Sequence, residues 1–167
     1  MSFFRFGCTC TLLVALAACG FRPLYGGSEN RAISQELAHI RISSIEDREG
    51  QVIYNFLLDR LNPDGRRADT IYTLKVAVSR NTKEIGLKFT EEATRAQLTL
   101  IAEYFFTRDT DGKLLAEGSV RSVNNYNISN SEFAHLASER DATERAAREV
   151  SDEIMTRLSL YFSRRGL

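Results

Sequence analysis

The chain has 167 residues, 43% of them hydrophobic and 26% charged, the proportions of a globular domain and not of a disordered chain. Lys plus Arg and Asp plus Glu are both 22, so the chain is formally neutral and lacks the basic excess of a general nucleic-acid binder. All three cysteines, Cys8, Cys10 and Cys19, lie near the amino end, which excludes a disulfide framework or a cysteine metal site from the rest of the chain.

The first segment reads as a leader spanning residues 1–18. Arg5 gives a short positive start, and Phe6 to Phe21 carry no charge, fewer residues than the roughly 20 that cross a bilayer. Leu16-Ala17-Ala18-Cys19 matches a bacterial lipobox. The small residues let a peptidase grip extended backbone, and the Cys19 thiol would carry a thioether-linked diacylglycerol. With a further acyl chain such as palmitate on the new amino terminus, the anchor exceeds the two signals that stable membrane attachment needs. Gly20, where an Asp would favour inner-membrane retention, points to the outer membrane. Residues 19–35 then read as a tether, punctuated by Pro23 and the Gly26-Gly27 pair.

Residues 36–163 read as a single α+β domain, followed by a tail at 164–167. Ala38, Ile40 and Ile42 alternate with polar residues and predict a first strand. Asp47 is a candidate cap for a helix carrying Val52, Ile53, Phe56, Leu57 and Leu61, which Asn62-Pro63-Asp64-Gly65 ends. Tyr72, Leu74, Val76 and Val78 predict a second strand over about 70–80, and 81–92 either extends it or turns. Ala96 to Phe106 alternate as a third strand, Asp109-Thr110-Asp111-Gly112 signals a hairpin, and Leu114 to Val123 form a fourth. Residues 124–131 read as a polar loop. A helix over roughly 133–162 follows, with Thr143, Ala147, Val150, Ile154, Leu158 and Tyr161 on one face and a second start near Ser138 left open. The order is β-α-β-β-β-α. Two amphipathic helices and one antiparallel meander predict a two-layer sandwich, both helices on one face of a four-stranded sheet.

Nothing in the sequence points to catalysis. The two histidines, His39 and His135, stand in no metal-ligand spacing, and there is no phosphate-cradling glycine loop, nucleophile elbow or cofactor motif. No enzyme activity, cofactor or metal is expected. A binding module remains. Arg66, Arg67, Lys83, Lys88, Arg95 and Arg121 are the candidate contacts, with Arg164-Arg165 as a further basic pair. Lys83 and Lys88 flank Ile85 and Leu87, a mixture that could meet a phosphorylated amphiphile through charge and acyl contact together. Taken singly, each of these residues reads first as a solvated surface charge.

The lipobox running into Cys19-Gly20-Phe21-Arg22-Pro23-Leu24-Tyr25-Gly26, the Asn-Asn-Tyr-Asn segment at 124–127 and the closing helix ending Leu158-Ser159-Leu160-Tyr161 resemble the LptE family of lipopolysaccharide-assembly lipoproteins in its alphaproteobacterial form. That resemblance implies two helices against a four-stranded sheet, in agreement with the order read from the residues. It also implies a lipid-anchored protein on the periplasmic face of the outer membrane. There it would plug and help assemble the β-barrel translocon (the LptD family) that inserts lipopolysaccharide, and would itself bind lipopolysaccharide. Only Cys19 carries over by position. The competing expectation is a different outer-membrane lipoprotein, an envelope tether or an assembly factor for another barrel.

Overall fold

The computed structural model describes residues 28–62, 69–85 and 95–165. In chain order it comprises α1 (Ser28–Ala38), β1 (Ile40–Ile42), α2 (Asp47–Leu61), β2 (Tyr72–Ile85), β3 (Arg95–Arg108), β4 (Leu114–Asn127) and α3 (Glu132–Ser163). The strands form one sheet in the order β1-β2-β3-β4, with β1 parallel to β2 and the other pairs antiparallel. A parallel pair needs a crossover, and α2 supplies it.

The α+β sandwich expected from the sequence is the observed architecture. β3 shows why. Ala96, Leu98, Leu100, Ala102, Tyr104 and Phe106 are buried, whereas Arg95, Glu103 and Phe105 between them are exposed. Successive side chains on a strand point to opposite faces, so only one face is covered. α2 contributes Ile53, Leu57 and Leu61 to that cover, and α3 contributes Ala142, Ala146, Ala147, Val150, Ile154, Leu158 and Phe162. Each large apolar side chain so buried is worth about 1.5–3 kcal/mol. The carboxyl end of the core is aromatic: Phe106 packs against Tyr72 with ring centroids 5.2 Å apart and against Phe162 at 5.9 Å. The small residues of β4 have a partner too. A Cβ on Gly118 would lie 2.9 Å from the Tyr104 hydroxyl, so the glycine makes room for the ring on the neighbouring strand.

The structure corrects several boundaries. A third helix, α1, occupies 28–38, where a tether to residue 35 and the first residue of β1 were expected. Ile33 and Leu37, four residues apart, place one side of α1 on the core, and it touches α3 and α2. Ala38 is therefore helical. The cap of α2 is Glu46, and Asp47 instead has φ 67°, a left-handed conformation that Asp tolerates better than most residues. β2 continues to Ile85. Asn124 to Asn127, read as loop, belong to β4 and pair with Arg95 to Leu98. α3 is one continuous helix from Glu132, roughly 48 Å long, with Thr143 and Tyr161 at the half-buried margins of its inner face. No described helix is long and apolar enough to cross a membrane.

Candidate functional site

Three of the predicted contacts, Lys83, Arg95 and Arg121, lie on one surface. All three are exposed, on the sheet face that the helices leave uncovered. Register places them. Arg95 stands opposite Ile85 on one side and Asn127 on the other, and Lys83 stands opposite Gln97, which faces Asn125. Lys83 and Arg95 thus occupy adjacent rows at one end of the sheet. Arg121 is opposite Ile101, about 20 Å along the strand from Arg95. None of the three forms a salt bridge among the described residues. Beside them Phe105 and Val123 remain 40% and 43% exposed, and Ile101 is half-buried. The face therefore offers unpaired cations, side-chain amides and apolar groups together, with Glu103 and Glu117 at the hairpin end as its acids. Arg66, Arg67, Lys88 and Cys19 lie outside the described residues.

The hairpin after β3 is fixed in place. Thr73 donates its hydroxyl to Asp109 at 2.6 Å, Arg41 reaches both, and the Asp109 amide donates to Ile71. Gly112, at φ 66°, closes the turn by donating to the Arg108 carbonyl.

A groove of about 500 Å³ runs between α2 and α3, with Val52, Phe56 and Leu136 as its apolar lining. Arg80 of β2 stands in it and bridges Glu49 of α2, at 2.7 Å, to Glu139 of α3. The hydrogen bond from Arg80 holds the Glu49 carboxyl below its ordinary range, against the opposing effect of burial. Burial works to lower the Arg80 pKa, but the bonds to Glu49 and Glu139 outweigh it and the pKa is raised. The guanidinium groups of Arg60 and Arg148 stand 5.4 and 4.9 Å from the ring centre of Phe56. These groups hold each other, so the groove works as a clamp between two helices and a strand. Sequence reading missed Arg80 because its partners Glu49 and Glu139 lie far from it along the chain and meet it only in the folded structure.

A smaller cleft of about 380 Å³ at the end of α3 is lined by Tyr104, Leu160, Tyr161, Arg157, Arg164 and Arg165. It holds the basic pair noted at the carboxyl end, with Arg165 stacked 4.8 Å over Tyr161. The histidines have structural surroundings: His39 Nδ1 lies 2.7 Å from the Asp69 carbonyl, and His135 packs beside Tyr126.

Residues 37–158, from the last turn of α1 well into α3, match the lipopolysaccharide-assembly family LptE. The chain belongs to the LptE family. Membership makes it a lipopolysaccharide-assembly lipoprotein of the cell envelope. Solved structures agree on the fold. A protein described as a lipoprotein from Caulobacter crescentus superposes with a TM-score of 0.66 at 18% identity, covering 80% of this chain and 97% of that one. A minor lipoprotein of Acinetobacter baumannii gives 0.57 at 15% identity, covering 72% and 91%. Rare lipoprotein B of Shewanella oneidensis gives 0.56 at 13%, covering 77% and 97%. A stretch of 113 residues is also 28% identical to glycine dehydrogenase (decarboxylating) of Chromobacterium violaceum; it spans 62% of this chain but only 12% of that enzyme's length.

Proposed function

We propose that this LptE family member is a non-catalytic plug and assembly factor. In this reading it is anchored by acylated Cys19 to the periplasmic face of the outer membrane. Its folded domain seats in the LptD-type β-barrel that delivers lipopolysaccharide to the outer leaflet. The observation that carries the surface assignment is the uncovered sheet face, where Lys83, Arg95 and Arg121 have no ion-pair partner among the described residues and stand near exposed apolar groups. Lipopolysaccharide is a phosphorylated amphiphile, and such a face can meet phosphate by charge-assisted hydrogen bonds and acyl chains by apolar contact. The helix side is a poorer candidate, because its charges are largely matched in pairs such as Arg148–Glu144 and Arg157–Glu153.

The test is binding of purified protein to immobilised lipopolysaccharide at two salt concentrations. Lys83→Glu, Arg95→Glu and Arg121→Glu in one chain should leave the fold intact, since all three are exposed. The triple variant should lose most of the binding at low salt, and its remaining binding should vary less with salt. Undiminished binding by a folded triple variant would remove this face from the proposal.

A further inference from the structure

The sheet has two edges. On one, β1 pairs only with Tyr72 to Leu74, and the rest of that edge belongs to β2. β4 is 14 residues long and has no neighbour beyond it among the described residues. In an antiparallel ladder, alternate residues turn their amide and carbonyl away from the partner strand. On β4 these are Ser119, Arg121, Val123 and Asn125, paired across from Glu103, Ile101, Thr99 and Gln97. Their groups form the open row of the edge.

Two arginines of α3 reach over to this row. Arg157 donates from Nη1 to the Ser119 carbonyl at 3.1 Å, while its Nε holds Glu153 at 2.8 Å. Arg145, paired with Asp141, places Nη2 3.5 Å from the Asn125 carbonyl and Nε 3.3 Å from Oδ1 of Asn124. Between them, the outward amides and carbonyls of Arg121 and Val123 have no partner among the described residues.

The spacing of the two contacts matters. If a second copy added its β4 antiparallel about a two-fold axis at Ser122, Arg121 would pair with Val123, and Ser119 with Asn125. The two carbonyls already occupied are thus the two that such pairing would bring together. Arg157 of one copy would also meet Arg145 of the other, cation against cation.

We propose that Arg145 and Arg157 guard the β4 edge and keep two copies of this chain from joining through it. The guards occupy the outer carbonyls, leave too short an open stretch for a stable ladder, and add like-charge repulsion. This inference does not depend on the lipopolysaccharide reading, because it concerns the edge and not the sheet face.

The experiment is sedimentation of the full-length protein in density-matched detergent over a range of protein concentrations, with circular dichroism as the check on folding. Wild type should stay monomeric. Arg145→Gln with Arg157→Gln should self-associate about tenfold more tightly or better, the loss of a charge-assisted contact at each end of the ladder being enough for that. Arg157→Gln alone should give an intermediate effect and serves if the double variant misfolds. Arg148→Gln, which removes an arginine of the same helix that touches no edge carbonyl, should remain monomeric. Adding Val123→Pro to the double variant removes an outward amide and should restore the monomer. A folded double variant no more associated than wild type, a wild-type dimer, or a dimer that survives Val123→Pro would each overturn the proposal.

Discussion

Gly50 and Glu49 sit side by side in the first turns of α2, and each fixes that helix differently. A Cβ on Gly50 would lie 2.6 Å from Ile45 Cγ2 and 3.1 Å from the Ile45 carbonyl carbon, so the helix can approach the preceding chain only with glycine there. Gly50→Ala should therefore destabilise the fold by about 1–3 kcal/mol despite alanine's better helix propensity, read as a lowered denaturation midpoint. Glu49 acts through charge. Its carboxyl is held below the ordinary value of 4.5, first by the Arg80 hydrogen bond, so it binds protons less readily folded than unfolded. The stability it contributes is fully present above pH 4.5 and is lost as pH falls through the lowered folded value. Glu49→Gln should cost about 1–2 kcal/mol at neutral pH. Thermal melts of both proteins along a pH series should show that difference shrinking below pH 4.5. A difference that grows on acidification would mean that Arg80 does not hold Glu49.

At the scale of elements, α3 decides whether the sheet has a core. Ile154 is fully buried among the inner residues of the sheet and α2, and Ile154→Asp would place a carboxylate there without a partner. It should cost several kcal/mol, a large part of the stability of a domain this size, and abolish a cooperative melt. This face was legible in advance because Val150, Ile154 and Leu158 recur at helical spacing and no other element contradicts them. The same logic gave β3 and the hairpin at Asp109 to Gly112. The failures have physical causes. Asn124 to Asn127 look like a loop because four polar or aromatic residues carry no apolar alternation. They are strand because β3 offers a ladder and because Asn124 finds Ser122, Glu149 and Arg145. α1 was hidden by its polarity, since Ile33 and Leu37 are too few to register as a stripe without the surface they meet. Of the candidate site, Lys83, Arg95 and Arg121 could be named from sequence as cations. Their common face depends on register across three strands, which composition does not reveal.

Taken whole, the molecule is two-sided. On the helix side, Arg60 pairs with Asp152 and Arg80 with two glutamates, so charge is used to hold α2, α3 and β2 together. On the sheet side, Arg41 is held by Asp109 at the hairpin end, whereas Lys83, Arg95 and Arg121 have no ion-pair partner among the described residues. That asymmetry is the basis for the proposal that the sheet face meets the barrel and lipopolysaccharide. The decisive measurement is site-specific photo-crosslinking of the full chain in intact cells. A photoreactive residue would replace Ile101 or Val123 on the sheet face, and Arg148 or Thr156 on the outer side of α3. The account predicts adducts with a translocon-sized barrel or with lipopolysaccharide from Ile101 and Val123, and few or none from Arg148 and Thr156. Adducts from the α3 positions with a silent sheet face would contradict it.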